Sequence, residues 1–231
     1  PGYYFMDSPG NDLESIAGQV ASGCNAIFFV TGNGSITNFP FVPTLKVVTT
    51  TQRYEMLERD MDINAGAYQD GVSMNALGAS TLDLTVAVAG GQRSKGEKAG
   101  HAQVQIWRNW PQKDGNALEA LRNAPAPNGY GMRPDVDEAP TLEIEALRNG
   151  PMWTSDRVGL ILPTSLCSGQ IARMIAERLN ERGLGCDRGI SRFVALVHTE
   201  GCGVAGTTAE EMFSRSMVSY LLHPMVGPAL L

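Results

Sequence analysis

Five apolar residues in a row, 193–197, stop at a loop that reads His198-Thr199-Glu200-Gly201-Cys202-Gly203. A strand with one wet face alternates polar and apolar side chains. An unbroken run this short therefore fits a strand buried on both faces of a parallel sheet. The pattern recurs. Residues 158–162 empty into Pro163-Thr164-Ser165-Leu166-Cys167-Ser168-Gly169, and residues 26–30, read as strongly buried, into Thr31-Gly32-Asn33-Gly34-Ser35. Residues 45–49 are a further strand candidate behind Pro43. Helical signals stand between the runs. Asn11 or Asp12 can cap a helix that Gly23 stops, and residues 52–59 read as a second. Within residues 170–182, Ile171, Met174, Ile175 and Leu179 repeat at helical spacing. Thr208 stands three residues before Glu211, the spacing of a capping box, at the head of another helix. Strand, polar loop and helix in succession call for parallel pairing through right-handed crossovers. The expected class is α/β, with the loops of interest at the carboxyl ends of strands.

The runs fall into two groups. Residues 111–155 hold six prolines and few large apolar side chains, which is linker composition. We expect two small parallel-sheet, Rossmann-like units, residues 1–110 and 156–231, joined by that Pro-rich linker. Residues 81–89 fit both the helix and the strand period, and residues 102–107 alternate like a strand. A net charge of −6 and a pI near 5.1 argue against nucleic acid as a partner. No apolar stretch is long enough to span a bilayer, so no membrane partner is expected. The four cysteines lack C-x-x-C spacing, which disfavours a zinc knuckle or a disulfide scaffold. The cytoplasm is the expected compartment, and both ends of the chain read as cut.

Three loops carry chemistry. His198, Glu200 and Cys202 crowd one strand end, and Cys167 leaves the neighbouring strand on the same edge. In Asp60-Met61-Asp62-Ile63-Asn64 the polar residues alternate, so in an extended segment they project to one side. Hard oxygen ligands at that spacing suit Mg²⁺, Mn²⁺ or Ca²⁺. The glycines and hydroxyls of residues 31–35 make a loop whose N–H groups can face an anion. Glu97 and His101 lie four residues apart in a polar segment.

Taken together, these motifs resemble the altronate/galactarate dehydratase family of sugar-acid hydro-lyases, which also includes sulfolactate lyases. The resemblance rests on Phe5-Met6-Asp7-Ser8-Pro9-Gly10, on residues 31–35, on Pro43-Thr44-Leu45-Lys46-Val47, on residues 60–66 and on Glu97. In the second half it rests on Cys167-Ser168, on residues 198–203 and on His223-Pro224. It implies a metal-dependent dehydratase that turns a sugar acid such as altronate or galactarate into a 2-keto-3-deoxy acid. The implied cofactor is a divalent metal, iron (Fe²⁺) or manganese (Mn²⁺). The implied partners are a small anionic sugar-acid substrate and either further copies of the chain or flanking domains. On this reading His198, Glu200 and Asp62 are catalytic. His198, Cys202, Asp60 and Cys167 hold the metal, while Thr31, Gly32, Asn33, Gly34, Ser35, Lys46 and Asn64 hold the substrate.

The chain departs from the family in its order. Residues 1–110 resemble the family's C-terminal segment, and residues 156–231 resemble a part that ordinarily precedes it. Met225 also stands where the family has Asn after His-Pro. Three alternatives stay open: an incomplete or non-catalytic anion-binding module, a sulfolactate-type lyase, and phosphate binding by residues 31–35. The last lacks the Lys-Ser/Thr pair of a P-loop. We expect the Asp60–Asp62 and His198–Cys202 groups to form two half-sites rather than one.

Overall fold

The computed structural model describes residues 3–107, 119–120, 122–125, 128–131, 143–201 and 208–231. Helix α1 (Asp12–Ala21) starts where the Asn11 side chain accepts from the N–H groups of Leu13 and Glu14. It stops before Gly23, whose φ of 98° suits glycine. Strands β1 (Ile27–Thr31), β2 (Thr44–Val48) and β3 (Ile63–Asn64) form one parallel sheet with β2 in the middle. All five residues of β2 are buried.

β1 does not meet the expectation of a strand buried on both faces. It is an edge strand, with Ile27 buried but Phe28 49% and Val30 64% exposed. An apolar run cannot distinguish an edge from a centre, because the covering element comes from elsewhere in the chain.

Helices α2 (Thr51–Met56), α3 (Met74–Ala89) and α4 (Lys95–Lys98) follow. The ambiguous residues 81–89 belong to α3, which the Ser73 hydroxyl caps by accepting from Ala76 N–H. Ser94 and Glu97 form a reciprocal capping box on α4. Residues 102–107 supply a single bridge, Val104 beside His198, where a strand was expected.

Within the stretch read as linker, β4 (Leu147–Asn149) and β5 (Met152–Thr154) make an antiparallel hairpin. The Asn149 amide donates to the carbonyls of Pro224 (2.9 Å) and Val226 (2.7 Å). Next come β6 (Val158–Ile161), α5 (Gly169–Glu181), β7 (Phe193–Ala195), α6 (Thr208–Leu221) and β8 (Val226–Leu230). The second parallel sheet runs β7-β6-β8, so the fully buried centre is β6. β7, expected to be buried on both faces, is an edge strand with its three residues partly buried. The β6–β8 register shifts between Val158 and Leu160, opposite Gly227 and Pro228. Proline has no N–H to give the ladder, which places it at such an irregularity. On α5 it is Ala172 and Ala176 that bury, leaving Ile171 and Met174 mostly exposed.

Among the described residues no strand pairs one parallel sheet with the other, yet the core is shared. Val20, Phe39 and Phe41 from the first half pack in one cluster with Leu160, Leu196, Tyr220 and Met225 from the second. The Tyr220 hydroxyl crosses between the halves to donate to the Ala17 carbonyl at 2.9 Å. Burying each such side chain contributes about 1.5–3 kcal/mol. Among the described residues no helix is long and apolar enough to cross a membrane.

Candidate functional site

Lys46 lies in the middle of β2, 0% exposed, and its Nζ has no hydrogen-bond partner among the described residues. β2 is covered on both faces, so a polar side chain there has nowhere to reach water. Burial pushes the ammonium below the ordinary lysine range, and the negative charges of Asp62 and Asp60 pull it back up. Asp62 is a strut. One carboxylate oxygen accepts the Lys46 N–H (2.9 Å) and the other the Lys95 N–H (2.8 Å), which ties β2 to the start of α4. Asp60 is half-buried, and its carboxylate makes no hydrogen bond among the described residues.

Asn64 points into a different network. Its amide donates to the Thr51 hydroxyl, which bonds in turn to Asp70. The 31–35 loop is tied in part to itself and in part to α1. Gly34 N–H donates to the Thr31 hydroxyl (3.0 Å), the Ser35 hydroxyl donates to Asp12 and accepts from Thr37 N–H, and Gly32 and Asn33 are exposed. Of the residues expected to hold substrate, the fold therefore groups Lys46 with Asp60 and Asp62 and sets Asn64 and the loop apart.

The second locus forms where β6 and β7 end. Leu166 N–H donates to the Glu200 carbonyl at 2.7 Å, so the Cys167 loop and the His198 loop lie side by side. His198 is 1% exposed and both its ring nitrogens are engaged. Nδ1 accepts the Glu200 N–H (3.1 Å), which leaves Nε2 as the protonated nitrogen, donating to the Pro163 carbonyl (2.8 Å). Burial holds this imidazole below the usual histidine range, against the opposing pull of the Pro163 carbonyl and Glu200. Glu200 is buried and accepts from the Thr199 hydroxyl. Cys167 is exposed, and Cys202 lies outside the described residues.

The described residues at this strand end do not suit the implied metal. A ligating histidine needs a free lone pair, and His198 has none as it is held. Among the described residues, no three of His, Cys, Asp or Glu gather to hold an ion. His198 does not fit the role of metal ligand, nor that of general base. The His198 strand end is bridged to the first half of the chain through Val104.

Residues that sequence reasoning passed over also carry polar contacts. Arg192, just before β7, donates to Asp156 (2.6 Å) and lies 3.5 Å from Glu97 of α4. These three charges line a cavity of about 370 Å³ at the amino ends of β1, β2, β6, β7 and β8. Asn38 is a second omission. Its oxygen accepts Thr44 N–H, while its amide donates to the carbonyls of Phe39 and His101. No local pattern reports such a hub, because one partner lies 63 residues away.

With this geometry in hand, comparison with known proteins identifies the class. Residues 1–112 match the family described as D-galactarate/altronate dehydratase, C-terminal. Residues 157–231 match D-galactarate dehydratase/altronate hydrolase, second domain. The chain belongs to the altronate/galactarate dehydratase family, with its C-terminal segment placed ahead of its second domain.

Particular relatives include an altronate dehydratase of Bacillus subtilis (strain 168), 33% identical over 109 residues, covering 47% of this chain and 22% of the relative. The altronate dehydratase of Escherichia coli (strain K12) is 28% identical, with the same coverage. The (2R)-sulfolactate sulfo-lyase subunit beta of Chromohalobacter salexigens is 27% identical, covering 47% of this chain and 28% of the relative. The matched segment thus spans about a quarter of these relatives. No solved structure matches the chain.

Proposed function

We propose that this chain takes part in the dehydration of a sugar acid such as altronate or galactarate to a 2-keto-3-deoxy acid. One observation carries the reading: a buried Lys46, its ammonium without a hydrogen-bond partner among the described residues, beside Asp60 and Asp62, within the segment that matches the family's C-terminal model. An ammonium buried without a partner is destabilising, and a ligand's negative charge would offset that. A substrate carboxylate on Lys46 would bring its α-carbon next to Asp60. The reaction removes the α-proton and expels the β-hydroxyl as water, and the resulting enol tautomerises to the ketone. Asp60 has a carboxylate available for the proton, whereas both oxygens of Asp62 hold backbone N–H groups. General acid–base help of this kind contributes roughly 10²–10⁴-fold. Glu200 stays a candidate for the leaving hydroxyl if the two loci close on one substrate. No step is assigned to His198 or to a metal.

The test is to supply purified protein with altronate or galactarate, with Fe²⁺ or Mn²⁺ present, and to trap keto acid with a carbonyl reagent. Sulfite release from sulfolactate is assayed in parallel. Keto acid is the expected product, and sulfite alone would move the reading to a carbon–sulfur lyase. No product with any substrate would leave an anion-binding module.

A further inference from the structure

A buried cation with nothing to bond is found at very few places in a folded protein, and the surroundings of Lys46 explain how this one is kept. Helix α4 lies directly on it. A Cβ added to Gly96 would stand 2.9 Å from Lys46 Nζ and 3.1 Å from Asn38 Oδ1, so only glycine lets α4 settle this close. Other buried polar atoms have no partner among the described residues, including the hydroxyls of Thr37 and Thr44 and His101 Nδ1. Thr37 precedes Asn38 in the chain, and Thr44 and His101 both bond to Asn38 through their backbones. The ammonium and the Thr44 hydroxyl are donors that no described residue satisfies.

The cover is weakly built. Four residues of helix have little stability of their own, so α4 depends on its ties. Lys95 N–H goes to Asp62 (2.8 Å), Lys95 Nζ to the Glu58 carbonyl (2.5 Å), and Glu97 to Arg192 (3.5 Å). The first two belong to the same half of the chain. Arg192 belongs to the other half and is steadied there by Asp156 at 2.6 Å.

We propose that Lys46 and Thr44 form a carboxylate-binding site roofed by α4, and that Arg192 latches the roof through Glu97. That the carboxylate is the substrate's rests on the dehydratase reading above. The site and the latch do not. The latch makes the second half of the chain control access to a site in the first.

Galactarate is expected to raise the Tm of the full chain, and galactitol, with the hydroxyls but no carboxylate, is not. Lys46→Met keeps the bulk and removes the buried charge. It should raise the Tm of the ligand-free protein by a few degrees and abolish the galactarate shift. A merely structural lysine would give the opposite sign. Arg192→Gln should increase acylation of Lys46 by an amine reagent severalfold, read by mass spectrometry, and speed amide exchange in residues 94–98.

Inorganic phosphate giving a Tm shift that Lys46→Met also abolishes would support the site and make its ligand a general anion. The site is overturned if neither galactarate nor phosphate shifts the wild-type protein, or if Lys46→Met leaves the shift intact or lowers the ligand-free Tm. The latch is overturned if Arg192→Gln folds but leaves Lys46 labelling unchanged. Galactarate binding without keto acid formation would reject the dehydratase reading and leave the site standing.

Discussion

His198 and His223 are wired alike. In each, Nδ1 accepts the N–H two residues further on, from Glu200 in one case and Met225 in the other. In each, Nε2 faces a distant carbonyl, that of Pro163 or of Cys24. Both rings are 2% exposed or less, and burial lowers the proton affinity of both. Below the ordinary histidine pKa of about 6.5, the unfolded chain therefore binds more protons than the folded one. Stability should fall as pH drops through and below that value, since protonation also removes the Nδ1 acceptor. The measurement is Tm from about pH 7.5 to about pH 5. His223→Gln should be less stable at neutral pH but show a shallower acid slope. An unchanged slope would assign the acid sensitivity to other groups.

The Asn11 cap was legible because a cap is local, acting within three residues of itself. The Ser94–Glu97 box is equally local but went unread, because a four-residue helix carries no apolar periodicity to flag it. The segment from Asp60 to Gly66 was legible only as a motif, and its purpose at this scale is close packing. Gly66 is buried against the start of α2, where an added Cβ would lie 2.3 Å from Thr51 N and 2.4 Å from Thr50 Cα. Backbone cannot swing aside as a side chain can. Gly66→Ala should destabilise by about 1–3 kcal/mol or more, read as a lowered denaturation midpoint. A loss of a few tenths would mean that β3 and α2 slide apart easily. Strand burial was not legible in this way. β1 and β7 carry apolar runs at least as unbroken as those of the central strands β2 and β6, yet they lie at edges. Position in a sheet depends on which strands pair, and composition does not report it.

Across the whole molecule, the two halves are joined by Tyr220 to Ala17, Glu97 to Arg192, His223 to Cys24 and one apolar cluster. The Tyr220 hydroxyl is fully buried, and burial alone raises its pKa far above the usual range. Tyr220→Phe deletes that hydrogen bond with the ring in place and should cost about 1 kcal/mol. Because the core is continuous, both halves should still unfold in one transition, seen alike by circular dichroism and tryptophan fluorescence. Two resolved transitions would show that the shared core contributes little coupling.

From the sequence alone, α/β character, parallel sheets, most helix positions and the family were within reach. Each rests on signals a few residues apart: periodicity, caps, and short motifs that keep their spacing. Composition suggested a division near residues 111–155 and gave no sign of the hairpin there. Only the tertiary structure decided which candidate side chains are already committed to hydrogen bonds. His198 has the right residue type in the right loop, but both its nitrogens are taken by carbonyl and amide partners that folding brings to it. Lys46 looked like one polar residue in an apolar strand. It stands out because the sheet, α4 and Asn38 close around its ammonium and give it no partner among the described residues. Hydrogen-bond commitment and burial are properties of contacts between distant segments, and a linear pattern of side chains does not encode them locally.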